Sequence, residues 1–308
     1  MIWPFIEWFP APAQGEEPPP PKQKPGKLQA PGFLRVAEAY SLDLEPFKTT
    51  GERDAILASS GMGKSYLTGV LMEETLESGG LVVVIDPEGE HHTLAQRYPM
   101  LVIGGEKGSL PLENDRVAQY VETILGKGVS AVFDLSEMND PDQRQAYTLI
   151  ANTLFEAQQD HRRKIRLVVE EAQIYAPQSG ITDKEALAVS QNIAKRGRKR
   201  ALDSLWATQR PASISKDILS QCNRFWFGGV QSENDIKAIK PHLDLAGISS
   251  DQVRALTKGQ FYLYANGETR LIQVRKRYCK HAGSTPQADT SKPVARKEDL
   301  KRIVEGLR

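Results

Sequence analysis

Apolar positions along the chain fall into short continuous runs, separated by longer stretches in which apolar and polar residues mix at helical spacing. The runs predict strands over Asp54–Ala58, Leu81–Asp86, Met100–Ile103, Ala131–Leu135, Arg166–Glu170, Ser204–Ala207 and Arg224–Phe227. Most do not alternate with polar residues, as expected of parallel strands covered on both faces. Lys64–Ser78, Asp142–His161 and Lys184–Arg196 carry the helical pattern. Strand–helix alternation implies an α/β fold with a mostly parallel sheet and right-handed crossovers. The pattern changes at Gln260–Tyr264 and Glu268–Val274, two runs flanking Ala265-Asn266-Gly267. Asn-Gly accepts the positive φ of a tight turn, so this is a C-terminal β-hairpin.

The ends of the chain are different. Pro10 to Pro31 is rich in proline, with four in succession at Pro18–Pro21, and cannot build a core. Three parts are expected: an aromatic segment and proline-rich linker over 1–32, a globular α/β body over 33–278, and a basic tail over 279–308 in which order declines after Tyr278 apart from a short helix at 297–307. No internal repeat is present.

Composition narrows the function. The chain has 308 residues, with 40 Lys and Arg against 39 Asp and Glu, a formal net charge of +1. Residues 275–308 alone carry +6, which leaves −5 for the preceding 274. A protein that coats nucleic acid by charge alone is therefore excluded, while local basic patches are not. Cys222 and Cys279 are too few for a disulfide framework or a four-thiolate zinc site, which points to a reducing, cytoplasmic setting. No apolar run approaches the roughly 18–20 residues of a membrane span, so no membrane insertion is expected. Met1 to Phe9 is hydrophobic but holds a proline and an acid and lacks a basic start, unlike a signal peptide.

The strongest chemical signal is Ala58-Ser59-Ser60-Gly61-Met62-Gly63-Lys64-Ser65, set between an expected strand and an expected helix. That is the context of a phosphate-binding P-loop. Its glycines let successive backbone N–H groups turn toward phosphate oxygens, and the helix that follows adds its positive end. The nucleotide cradle is taken as Ser60, Gly61, Met62, Gly63, Lys64, Ser65 and Tyr66, with Lys64 reaching the β- and γ-phosphates and Ser65 ligating Mg²⁺. Ala58 stands where the pattern has its first glycine, and is acceptable there if its φ stays negative.

Ile165 to Val169 leads into Glu170-Glu171. Beside a P-loop, the first acid of such a pair holds the hydrated metal and the second activates water, so Glu170 is assigned to Mg²⁺ and Glu171 to general base. Without the P-loop, a solvated helix start favoured by the helix dipole would be the better account of the pair. Asp134 and Asp86 also end strands, on the ligand-binding edge of a parallel sheet. Turn capping is an equal account of Asp86.

Lys195-Arg196-Gly197-Arg198-Lys199-Arg200 places five cations in six positions. An arginine entering a neighbouring subunit's site, a track for DNA phosphates and a plain solvated face are three readings of it. Ser204 to Ala207 runs into Thr208-Gln209-Arg210-Pro211, where Gln209, with Thr208 as alternate, is placed to sense the γ-phosphate.

Taken together these motifs resemble the HerA/FtsK superfamily of P-loop motor ATPases, above all the HerA-like core. The resemblance rests on Ser60 to Ser65, on Asp86-Pro87-Glu88-Gly89-Glu90, on Val168-Val169-Glu170-Glu171-Ala172-Gln173, on Gly197-Arg198-Lys199 and on Ala207 to Pro211, over residues 50–278. It implies a RecA-like P-loop NTPase fold of the ASCE type, ATP and Mg²⁺ as cofactors, and a homo-oligomeric, usually hexameric, ring that moves double-stranded DNA. It further implies that Arg198 acts in trans and that Gln209 is the polar sensor. The sequence departs from the family at Glu170, where Asp is usual, and at Gln173, where His is common. A nuclease or other protein partner would dock through the N-terminal segment. A packaging or conjugative motor of the same superfamily shares these motifs, and an ATP-switched scaffold is the alternative outside the motor class.

Overall fold

All seven apolar runs form strands, and the hairpin follows them, so the computed structural model has nine strands among the residues it describes, 51–178 and 184–283. These are β1 (Arg53–Leu57), β2 (Leu81–Asp86), β3 (Met100–Ile103), β4 (Ser130–Asp134), β5 (Ile165–Val169), β6 (Leu202–Thr208), β7 (Arg224–Phe227), β8 (Gln260–Ala265) and β9 (Glu268–Gln273). They make one sheet in the order β3-β4-β2-β5-β6-β1-β7-β8-β9. The first seven positions are parallel and the last two antiparallel. Asn266 and Gly267, at φ 53° and 80°, make the hairpin turn. The N-terminal aromatic segment, the proline-rich linker, the expected start of the body near Phe33 and the 297–307 helix lie outside the described residues.

The helices are α1 (Lys64–Glu77), α2 (Val117–Lys127), α3 (Asp140–His161), α4 (Lys184–Arg196), α5 (Lys216–Gln221), α6 (Glu233–Ala246) and α7 (Ser250–Arg254). Helix α3 begins two residues before the expected Asp142. Asn139 caps it by accepting the Asp142 N–H, and Pro141 suits the first turn, whose N–H groups have no helical partner.

Side chains alternate across the strands and build two cores. Ala55, Leu57, Val83, Ile85, Phe133 and Trp206 face α2, α3, α4 and α6. Ile56, Val82, Val84, Val168 and Leu205 face Leu67, Val70 and Leu71 of α1, together with Val274 and Cys279 from the segment after the hairpin. One face is thus covered by several helices, the other by α1 and what lies over it. Helix α1 is buried without interruption from Leu67 to Thr75, which a single sheet contact cannot achieve. Its outer face is covered by the chain after β9, where Arg275, Arg277, Tyr278 and Cys279 bond to Glu73 and Glu74. Within the described residues no helix is long and apolar enough to cross a membrane.

Candidate active site

The C-terminal ends of β1, β2, β5 and β6 converge on one edge of the sheet, where loops are free to carry chemistry. Strand β1 ends beside Thr208 of β6 and feeds the loop Ala58–Gly63 into α1. Gly61 and Gly63 take φ of 80° and 95°, in the left-handed region that disfavours a side chain. Ala58 is not among the positive-φ residues, so an alanine serves where the motif has glycine. Ser59 donates its N–H to the Gly229 carbonyl at 2.9 Å and Gly259 donates to the Met62 carbonyl at 3.0 Å, which anchor the loop on both sides. Helix α1 has no side-chain cap, and among the described residues no group accepts from the N–H of Gly61, Gly63, Lys64 or Ser65. Ser60 and Gly61 are exposed. Unpaired donors at an open helix N-terminus fit an anionic phosphate chain.

Lys64 is buried and bridges both predicted carboxylates, at 2.5 Å to Glu170 Oε2 and 2.8 Å to Glu171 Oε1. Burial alone would lower the Lys64 pKa, but the two carboxylates hold it well above its ordinary value. Burial would likewise raise Glu170, yet Lys64 and His91 hold it well below the usual carboxylate range. The ammonium and Glu170 are therefore both charged at neutral pH. Glu171 sits at φ 47°, a left-handed conformation that costs a non-glycine residue on the order of 1 kcal/mol or more and often marks a functional position.

Two residues assigned no catalytic role in the sequence complete this centre. Gln173 donates its amide to Glu171 Oε2 at 2.7 Å, and its carbonyl accepts from Thr208 Oγ1 at 2.6 Å. The Glu171 carboxylate is thereby tied to the end of β6, two strand ends becoming one polar chain. His91, fully buried, lies 3.2 Å from Glu170 Oε1 and donates its backbone N–H to Asp86 Oδ2 at 2.8 Å. Asp86 thus closes the turn after β2, the capping account, while it also stands one step behind Glu170. Gln173 was visible in the sequence as a departure from the family pattern. Nothing local distinguishes His91, because its meeting with Glu170 is made by pairing β2 with β5.

The remaining predicted residues separate. Gln209 lies one residue past β6 and is partly exposed, while the alternate sensor Thr208 is the one hydrogen-bonded into the centre. Arg198 is exposed in the turn before β6 and crosses the Gly51 backbone. It stands at the opposite edge of the sheet, a β6 length of about 20 Å from Thr208. Of its neighbours, Arg200 is held by the Phe155 carbonyl and stacks 4.0 Å from that ring's centre, and Lys195 lies 3.7 Å from Asp217. Asp134 binds Ser136 and packs against the Gly105 turn. No group of three or more His, Cys, Asp or Glu among the described residues could hold a metal by itself. Ser65 and Glu170 suit Mg²⁺ only in the usual manner, where few protein ligands act beside phosphate oxygens and water.

Comparison with known proteins bears on the fold and the family. DNA double-strand break repair helicase HerA of Pyrococcus furiosus is 25% identical over 162 residues, covering 49% of this chain and 28% of that protein, so the match spans less than a third of the relative. The plasmid coupling protein TrwB, solved with a non-hydrolysable ATP analogue, superposes with a TM-score of 0.60 at 11% identity, covering 84% of this chain and 92% of its own. VirB4 of Thermoanaerobacter pseudethanolicus gives 0.57 at 16%, covering 72% and 89%. The genome packaging NTPase B204 of Sulfolobus turreted icosahedral virus 2, bound to ATP-γS, gives 0.50 at 12%, covering 72% and 97%. At these identities the structures establish the RecA-like P-loop fold. The family model described as "Helicase HerA, central domain" matches residues 42–258, most of the chain, and the chain belongs to that family.

Proposed function

We propose that this chain hydrolyses ATP to move double-stranded DNA, working as a ring, most simply a hexamer, whose active sites are completed by neighbouring subunits. The observation that carries the reading is the position of Lys64, which bridges Glu170 and Glu171 beside a loop of unpaired backbone donors. An arriving phosphate chain competes for the ammonium. When Lys64 turns to it, Glu171 loses its cation and becomes free to accept a proton from water, with Gln173 fixing its direction. Mg²⁺, held through Ser65 and Glu170 when bound, would neutralise charge on the β- and γ-phosphates. His91 keeps the second oxygen of Glu170 in place. Arg198 cannot reach its own P-loop from the far edge of the sheet, so its guanidinium would serve the site of the next subunit.

The test is the steady-state rate of ATP hydrolysis by the full chain, measured with and without linear duplex DNA, alongside particle size. The expected result is a DNA-stimulated rate in an oligomer. A rate indifferent to duplex DNA removes the motor and leaves the nucleotide-switched scaffold. A persistent monomer removes the ring.

A further inference from the structure

Helix α1 carries two acids, Glu73 and Glu74, that are buried and take no part in the site described above. Both are held by the segment that follows the hairpin. Arg275 donates to Glu74 Oε1 and Glu73 Oε2, each at 3.0 Å, and Arg277 donates to Glu73 Oε1 at 3.1 Å. The backbone N–H groups of Tyr278 and Cys279 also donate to Glu73, at 2.9 and 3.0 Å. Gly69 leaves the space that the Arg277 guanidinium occupies, since a Cβ there would stand 2.4 Å from its central carbon. Residues 275–283 thereby form a strap across the helix that follows the phosphate loop.

The strap touches two walls of the candidate site. At one, the Arg277 N–H donates to the Tyr66 hydroxyl at 2.8 Å, and Tyr66 directly follows Ser65. At the other, the strap meets the loop after β2 on both flanks of His91. Thr93 donates its hydroxyl to the Lys280 carbonyl at 2.7 Å. Glu90 lies against Gly283, where a Cβ would stand 2.4 Å from Glu90 Oε1 and 2.8 Å from His281 Nε2. Arg277 Nη1 lies 3.4 Å from His281 Nδ1, which joins the two walls. His91, held on either side, is the residue whose ring lies 3.2 Å from Glu170 Oε1. A path of contacts therefore runs from the first turn of α1, through Arg277 and the loop after β2, to Glu170.

This path acquires a use when nucleotide arrives. In the function proposed above, Lys64 turns from Glu170 and Glu171 to the phosphates, and the direct bond between α1 and the carboxylates opens. The path through the strap includes neither Lys64 nor the phosphate loop, so that move leaves it in place. We propose that Arg277 is a positioning residue, which acts through Tyr66 on one side and His91 on the other to fix the spacing between Ser65 and Glu170, the two side chains assigned to Mg²⁺. This deepens the proposed function and rests on it. It also gives Glu73 and Glu74 a purpose, because the buried acids hold the guanidinium in one position.

The experiment is calorimetric titration of the full chain with a non-hydrolysable ATP analogue, once with Mg²⁺ and once with the metal chelated. The ratio of the two affinities reads the contribution of the metal. Gly69→Ala keeps every charge and supplies a better helix former, but displaces the guanidinium. It is expected to weaken binding with Mg²⁺ roughly 3- to 10-fold, less than the loss of a metal ligand's direct partner, and to leave metal-free binding unchanged. Thr93→Val, which removes one hydrogen bond at the far end of the strap, is expected to shift the ratio the same way by a smaller factor. If Gly69→Ala does not fold, the ratio in Thr93→Val decides alone. An unchanged ratio, whether both affinities fall together or neither moves, would mean that the strap only braces the helix, and would overturn the assignment. An unmodified protein that binds the analogue equally well with and without Mg²⁺ would overturn it too, while leaving nucleotide binding intact. If the unmodified protein does not bind the analogue at all, the ATP-binding reading fails and this proposal with it.

Discussion

The sheet has a buried charged cluster at each end, and the two are built to different ends. At the N-terminal edge, Asp54 receives two bonds from Arg224, at 2.8 and 2.6 Å, and one from Trp226 at 2.9 Å, while Glu52 pairs with Arg224 at 2.8 Å and with Arg166. Asp54, Arg166 and Arg224 lie on β1, β5 and β7, with Glu52 just before β1, so the cluster clamps strands together. Its backbone is extended, and Asp54 is wholly inaccessible. At the C-terminal edge, Lys64, Glu170 and Glu171 are as closely paired, but they adjoin an open loop with unpaired donors, and Glu171 holds a left-handed backbone. His91 Nδ1 and Asp86 Oδ1 behind them have no partner among the described residues. The lesson is that ion pairing and burial do not by themselves distinguish a clamp from an active site. An opening toward solvent and local strain do, whereas an unpartnered buried atom occurs at both ends, Arg166 Nε being one in the clamp.

Exchanging single members of the two clusters should therefore give opposite signatures. Glu171→Gln should lower the hydrolysis rate about 10²- to 10⁴-fold, the usual worth of a general base, while nucleotide binding persists and thermal stability moves little. A variant that hydrolyses at the unmodified rate would take Glu171 out of the chemistry. Arg224→Ala leaves Asp54 and Glu52 without their main cation and should cost about 3–5 kcal/mol in denaturant unfolding. The rate per folded molecule should stay near that of the unmodified protein, and a catalytic defect without destabilisation would erase the distinction between the two ends.

The smallest effect is a pH dependence of the clamp. Burial tends to raise the Asp54 pKa, but Arg224 and Arg166 outweigh it and the native value lies below the ordinary 3.8. Asp54 therefore binds protons more readily unfolded than folded. Its contribution to stability is complete above the unfolded value and fades as pH falls through the native one. Acid titration of stability should show a loss below about pH 4 that is shallower in Arg224→Ala, where the carboxylate no longer has that cation. An identical acid slope in both proteins would contradict it.

Much of this was legible in the chain because it is local. Continuous apolar runs located all seven parallel strands, Asn266-Gly267 located the hairpin, and Gly61-Met62-Gly63-Lys64-Ser65 located the phosphate loop. What escaped depends on strands remote in sequence. His91 reaches Glu170 only because β2 lies beside β5, and Thr208 reaches Gln173 only because β6 lies beside β5. The apolar run ends the expected strand at Ala207, whereas β6 continues to Thr208, whose hydroxyl meets Gln173. In the sequence Arg275 and Arg277 register only as part of a net charge, because their partners, Glu73 and Glu74, are about 200 positions earlier and sit in a helix whose pattern shows no exposed face. Arg198 shows the same limit from the other side. Its motif is local, but its distance from its own P-loop is a property of the sheet.

That distance makes the proposed shared site testable, since an arginine at the far edge can serve an active site only in another molecule. Lys64→Ala and Arg198→Ala proteins should each be nearly inactive alone while still forming rings. Mixed in equal amounts and allowed to exchange subunits, they should regain hydrolysis, because random mixing leaves about a quarter of head-to-tail interfaces with both an intact Lys64 and an intact Arg198. A mixture that forms mixed rings and stays inactive, or an Arg198→Ala protein as fast as the unmodified one, would contradict a site shared between subunits.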